Sequence, residues 1–236
     1  AYAYSRKELM ALFGNSIAAP MYSPVPVGLL AGGLSEAELK EAGIDWEAGD
    51  NDINIQKAKK LLSEAGYPNG VKLTVYASEM GYYIQPYQIF QAQLRKIGVN
   101  LKINKVDHAT YHSMIRKDAN HFVLYNCWRP NADVYLTRFY HSNSEVVTGE
   151  KPDTNFSHKL NIDDLIEKAR FETDANKQEA LWKEAQVSIL KDVASSTFCI
   201  NRLTCARTDA FDWGHSVKAS VALYPQITEK SRLLKK

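Results

Sequence analysis

The sequence predicts a mixed α/β fold, and three observations carry that prediction. Residues 71–106 alternate in polarity, switch to three- and four-residue apolar steps, then alternate again, giving a strand, a helix and a second strand. Helical apolar spacing recurs at 52–65 and across 162–191. Of the 236 residues, 45% are hydrophobic and 24% charged, so the chain can bury a sizeable core.

In chain order, Leu9, Leu12 and Phe13 share one face of a short helix over 5–13. "APMYSPVPVGLLAGG" (19–33) follows, and its Pro and Gly residues favour an irregular connector. Ser35 suits the cap of a brief helix, "LSEAELKEAG". Asp52 opens a stronger one carrying Ile55, Ala58, Leu61, Leu62 and Ala65, which ends at Gly66 with Pro68 close behind. "VKLTVYA" is the first strand of the β-α-β unit. Pro86 is expected to start the helix with Ile89, Phe90, Leu94 and Ile97, and Gly98 to stop it. "VNLKINKV" is the second strand, so the two should be parallel with a right-handed crossover. Asp107 caps a helix to about Lys117, and "HFVLYNCW" is expected as a third strand. Helices follow over about 162–172 and 175–191, the latter capped by Asp174. "STFCINRL" reads as a late strand, and another is possible by pattern near "SVALYP".

Charge and composition exclude several classes. With 29 basic and 27 acidic residues the net charge is +2, too balanced for a dedicated nucleic-acid surface. The basic end "KSRLLKK" reads as a solvated tail. Apolar runs are too short to span a bilayer, and no signal peptide opens the chain. The first residues start on a helix pattern without Met, as expected of a piece of a longer chain. Cys127, Cys199 and Cys205 make neither a disulfide framework nor a zinc pattern. Along one straight strand Cys199 and Cys205 would stand roughly 20 Å apart, too far to bond; they could pair if the chain turns back between them.

The search for catalytic chemistry finds little. "GLLAGG" lacks the spacing of a phosphate-cradling turn. "HATYH" places His108 and His112 four apart on a helix, a spacing that can bind zinc, but Ala109 stands where a metalloprotease needs Glu. Asp163 and Asp164 sit at a helix start, where carboxylates offset the helix dipole. Cys127 at a strand end reads as a packed thiol. No cofactor is implied.

What remains is a set of aromatic and polar groups at predicted strand ends. Ligands in open α/β sheets bind beyond the carboxyl ends of strands. Two loops qualify, 78–86 and the one beginning at Trp128. Tyr82, Tyr83, Trp128, Arg129, Asn131, Asp133 and Tyr135 suit a binding wall: rings supply contact area and a few polar groups fix orientation.

Several motifs resemble the family 5 extracellular solute-binding proteins of ABC importers, the dipeptide-, oligopeptide- and nickel-binding type. "INIQKAKKLLSEAGYPNGVKLTVYAS" resembles the family's D-x-x-K-A-K-x-L-L-x-E-A-G-Y-P-N-G segment. "IFQAQLRKIGVNLKI", "LNIDDLIEKARFETDANKQEALWKEAQVSILKD" and "AYSRKELMALFGNSIAAPMYSPVP" are similar to further segments, in family order. The resemblance implies a periplasmic-binding-protein type II lobe, with a mixed β-sheet flanked by helices. It implies that residues 1–195 are the second lobe of a two-lobed protein. Residues 196–236 would cross near Ser195–Thr197 and return toward a first lobe absent from this chain.

By the same resemblance the protein is not an enzyme. It would capture a peptide or similar small solute by hinged closure, work with ABC permease subunits, and reside in the periplasm or outside the cell, free or lipid-anchored. A metal-dependent hydrolase using His108 and His112, or a solute receptor used for sensing, are the alternatives. Trp128 matches the Trp of the family's "W-x-x-D-x-x-D-P". In peptide-binding members the Asp three residues on pairs with the peptide ammonium; here that residue is Asn131. Either Asp133 takes the role or the amine anchor is missing, since a neutral Asn loses the charge-assisted part of the bond.

Overall fold

Apolar periodicity becomes a sheet-and-helix layer beside a purely helical one. The structure, a computed structural model, describes residues 2–14, 17–46, 49, 51–159, 161–202, 205–216 and 226–234. Strand β1 (Ala18–Pro20) follows helix α1 (Arg6–Phe13), which Ser5 caps by accepting from the Glu8 N–H. Helix α2 (Glu36–Glu41) starts with a full capping box between Ser35 and Glu38. Helix α3 (Asp52–Glu64) is capped by Asn51.

Strands β2 (Val71–Ser78) and β3 (Val99–Val106) pair in parallel, in register from Val71–Val99 to Ser78–Val106. Their starts lie close because Gly70 and Gly98 both adopt positive φ; a Cβ on Gly70 would stand 2.1 Å from the Gly98 carbonyl oxygen. The crossover helix α4 (Gly81–Arg95) begins earlier than Pro86 predicts. Met80 supplies its first acceptor, to the Tyr83 and Ile84 N–H groups, and Pro86 lies buried inside the helix. Residues 81–86 are therefore helix, where the sequence suggested loop.

Asp107 caps helix α5 (His108–Arg116) as expected. The third strand, however, does not form: residues 121–128 are irregular and join no ladder. Side chains take the place of backbone pairing. Asn120 Oδ1 accepts from the Tyr76 N–H and its Nδ2 donates to the Tyr76 carbonyl. The Leu124 N–H donates to the Tyr87 hydroxyl, and the Tyr111 hydroxyl donates to the Leu124 carbonyl. The apolar run 122–125 is satisfied without a ladder, because all four residues pack against the core around β2 and β3.

Three more helices follow: α6 (Ala132–Tyr140), α7 (Asp163–Phe171) and α8 (Ala175–Lys191), the last capped by Asp174. They share one core of Tyr135, Leu136, Ile166, Trp182 and Ile189, with Val25 from the connector. Fully burying aliphatic side chains such as Leu136 and Ile189 stabilises by about 1.5–3 kcal/mol each. A separate core gathers Val75, Ala77, Tyr83, Tyr87, Leu101, Tyr111 and Ile115 around the strands. Strand β4 (Cys199–Asn201) pairs antiparallel with β1, and β5 (Phe211–Asp212) with β6 (Arg232–Leu233). The predicted strand near "SVALYP" lies outside the described residues. No helix among the described residues is long and apolar enough to cross a membrane.

Candidate ligand-binding wall

The stretch after Asn126 joins the two cores. Tyr125 packs against the sheet core, and Ala132, Tyr135 and Leu136 belong to the helical one. Between them, residues 126–131 carry Trp128 and Arg129, both half-buried. The helix that follows was not anticipated from the sequence. Its signals were present: Asn131 at the cap, Asp133 in the first turn, and apolar residues at 132, 135, 136, 139 and 140.

An unbroken run of ring contacts ties the start of α4 to α6. Tyr82 lies 4.9 Å from Tyr83, which contacts His108 at 5.3 Å and Tyr111 at 5.2 Å. His112 meets Tyr125 edge-on at 5.8 Å, and Tyr125 meets Phe139 at 5.6 Å. The Arg129 guanidinium covers the Phe139 ring at 5.1 Å. The Tyr83 hydroxyl faces the Asn126 backbone and the Tyr135 hydroxyl the Arg129 backbone. Burial pushes both phenols up to about 12, so they remain protonated.

The seven residues singled out from sequence thus divide by task. Tyr83 and Tyr135 are buried props that fix the backbone around Trp128. Tyr82 is 46% exposed, leaving a ring face for a partner. Asn131 caps α6, its Oδ1 accepting from the Val134 N–H at 2.9 Å. Asp133 is engaged by Arg170 at 3.1 Å and lies near Thr137. Arg129 Nη1 donates to the Trp128 carbonyl at 2.8 Å, while its buried Nε has no hydrogen-bond partner. A buried donor of this kind costs stability until something accepts from it.

His108 and His112, which the sequence suggests as solvent-facing or capping residues rather than a zinc pair, both belong to the aromatic run, their Nε2 atoms 3.1 Å apart. Among the described residues no group of three or more His, Cys, Asp or Glu gathers to hold a metal. A shallow depression lined by Arg95, Gly98, Val99 and Asn100 lies at the other end of β3, away from these rings.

Comparison with known proteins agrees with this architecture. A family model described as bacterial extracellular solute-binding proteins, family 5 Middle, matches residues 1–146. The chain is similar to the glutathione-binding protein GsiB of Salmonella typhimurium, 28% identical over 145 residues, which cover 55% of this chain and 28% of that protein. GsiB of Escherichia coli (strain K12) is 26% identical over 160 residues, 64% of this chain and 31% of the relative. Among solved structures, MoaA from A.tumefacien R10 in complex with mannopinic acid superposes with a TM-score of 0.82 at 37% identity. That match covers 100% of this chain and 45% of MoaA. The periplasmic binding protein DppA from Helicobacter pylori, in complex with peptide STSA, gives 0.75 at 22% identity, covering 99% of this chain and 43% of DppA. At that identity DppA speaks for the fold alone. The fold is α/β, of the type II periplasmic binding proteins, and the chain spans less than half the length of these relatives.

Proposed function

The chain belongs to the bacterial extracellular solute-binding proteins of family 5, and from that premise we propose that it forms one wall of a hinged cleft that captures a peptide or similar small acid for import. The observation that carries this reading is the continuous aromatic run from Tyr82 to Phe139, ending at Arg129 with its unpartnered Nε. Trp128 and Tyr82 supply ring faces for the solute. Arg129 supplies charged donors for a carboxylate, and Tyr83 and Tyr135 hold the backbone that presents them. Asp133 is already compensated by Arg170 and Asn131 is neutral, so the wall offers little to an ammonium group. The 37% identity with MoaA, whose complex holds mannopinic acid, favours an acid of that kind over a peptide anchored by its amine.

Capture requires no covalent step. A second lobe would close over the solute, and the solute would shift the open–closed equilibrium toward closure. The β1–β4 pair joins residues 18–20 to 199–201 and suits a hinge. Tyr4 and Arg6 fasten the neighbouring segment: Arg6 Nε donates to the Thr197 carbonyl at 2.9 Å and Nη2 to Ser196 Oγ at 3.0 Å. In the proposed reading residues 1–195 form the second lobe and 196–236 the crossing and return segment. The closed protein would deliver its solute to ABC permease subunits from the periplasm or the outer face of the membrane.

Titration of the isotopically labelled chain with mannopinic acid, followed by NMR, tests the wall without demanding tight affinity. The Trp128 indole and the Arg129 Nε–H resonances should move together and saturate. Movement confined to residues remote from 78–83 and 126–135, or no movement at millimolar solute, overturns the reading.

A further inference from the structure

Met80 stands at the cap position of α4, beside the exposed end of the aromatic run. Of the chain's four methionines, Met10, Met21 and Met114 are half-buried, while Met80 is 38% exposed. The Tyr82 hydroxyl donates to the Met80 sulfur, Oη to Sδ, at 2.9 Å. Tyr82 in turn lies 4.9 Å from Tyr83, where the run begins. The Met80 backbone is pinned: its N–H donates to Ser78 Oγ at 3.3 Å, and its carbonyl accepts from the Tyr83 and Ile84 N–H groups. A chemical change at the sulfur is therefore felt by side chains, and first of all by Tyr82.

We propose that Met80 is an oxidation site, and that its sulfoxide draws Tyr82 off Tyr83 and so weakens the wall. Hydrogen peroxide is the oxidant. A sulfur lone pair attacks one peroxide oxygen and the O–O bond breaks. The hydroxide that leaves takes the proton of the transferred oxygen and becomes water. Sulfur is oxidised by two electrons, peroxide is reduced by two, and a methionine sulfoxide remains. A thioether sulfur is a weak acceptor. Once oxidised, that sulfur carries positive charge, and the new oxygen is the acceptor in its place. An oxygen acceptor holds a hydroxyl at about 2.7–2.8 Å, so Tyr82 Oη follows the oxygen and abandons the sulfur. Tyr83 is packed in the core and does not move with it, so the ring contact that opens the run is lost. The apolar thioether beside that ring also becomes a polar group.

The oxidation and the ring displacement stand on the Met80–Tyr82 geometry; the effect on solute capture rests on the proposed cleft. The experiment treats the chain with hydrogen peroxide and follows each methionine by peptide mass spectrometry. The Tyr82–Tyr83 ring contact is read as a nuclear Overhauser effect. Met80 should oxidise at least fivefold faster than Met10, Met21 and Met114. The ring contact should fade in step with its sulfoxide and return on treatment with methionine sulfoxide reductase. Mannopinic acid, followed by chemical shift, should bind at least threefold more weakly after oxidation, and Met80→Leu should abolish that difference. This variant keeps Cys127, Cys199 and Cys205, so an effect of thiol oxidation would persist in it. Met80 oxidising no faster than the other methionines overturns the proposal, as does a ring contact that survives full conversion. An equal loss of affinity in Met80→Leu overturns it too. An untreated chain that does not bind mannopinic acid counts against the cleft alone, and the ring contact then decides the Met80 step.

Discussion

Asn120 holds Tyr76 by both of its backbone groups, accepting from the N–H at 2.8 Å and donating to the carbonyl at 3.0 Å. One side-chain amide here does the work of a strand neighbour. Asn120→Ala would leave two peptide groups of β2 to find water in a partly buried setting, a loss of about 2–3 kcal/mol. Asn120→Asp should be at least as damaging, because a carboxylate would replace the Nδ2 donor opposite the Tyr76 carbonyl. Urea unfolding of both variants measures this; a midpoint unchanged in each would show that the amide is dispensable.

Gly70 predicts a second effect. Its φ of +83° disfavours any side chain, and an added Cβ would meet the Gly98 oxygen at 2.1 Å. Gly70→Ala should cost about 3 kcal/mol through strain and forced separation of the β2 and β3 starts. Thermal unfolding checks it, and hydrogen exchange at Val71, whose N–H donates to Gly98, should speed up first.

Asn131 can be separated into its two conceivable roles. Asn131→Ala removes the α6 cap and should cost about 1 kcal/mol. Asn131→Asp keeps the cap, adds a charge favoured at a helix start, and should leave stability intact. If the cleft reading is right, that variant alone should gain affinity for solutes with a free ammonium and lose it for acids, as read by calorimetry.

His158 lies between two carboxylates, Glu145 at 2.5 Å and Asp118 at 3.1 Å. The Glu145 hydrogen bond, then Asp118, raise the His158 pKa above 6.5, against an opposing desolvation. The same His158 bond, with Thr148, lowers the Glu145 pKa below 4.5. Stability from the raised histidine is fully present below pH 6.5 and fades as pH rises through its folded value. Stability from the depressed carboxyl is fully present above pH 4.5 and fades as pH falls through its folded value. The pair should therefore contribute most between pH 4.5 and 6.5. His158→Ala should flatten the pH dependence of the urea midpoint on both sides of that window.

How far these features could be read from sequence depends on the range of the interactions. The parallel β2–β3 pair, the Asp107 and Asp174 caps and the helices α3, α7 and α8 follow from local signals, but of the apolar face expected on α3 only Ile55 is buried, while Leu61 and Ala65 are exposed. Residues 121–128 misled, because a short apolar run reports burial and not the partner of the backbone; Tyr87 and Tyr111 satisfy Leu124, and Asn120 satisfies Tyr76 of β2. Pro86 misled because a helix can bury proline in its second turn when Met80 provides an earlier start. Within the wall, residue types pointed to Trp128 and Arg129. The engagement of Asp133 by Arg170, across 37 positions, leaves no local trace.

Trp128 stands on chain that belongs to neither core, with the sheet packing ending at Tyr125 and the helical packing beginning at Ala132. Such a residue has no rigidity of its own and borrows it from both sides. If either body loosens on warming, the indole loses its bearing before the protein as a whole melts. Ligand affinity should then decline at temperatures where circular dichroism still looks native, and the cleft would act as the molecule's earliest thermometer.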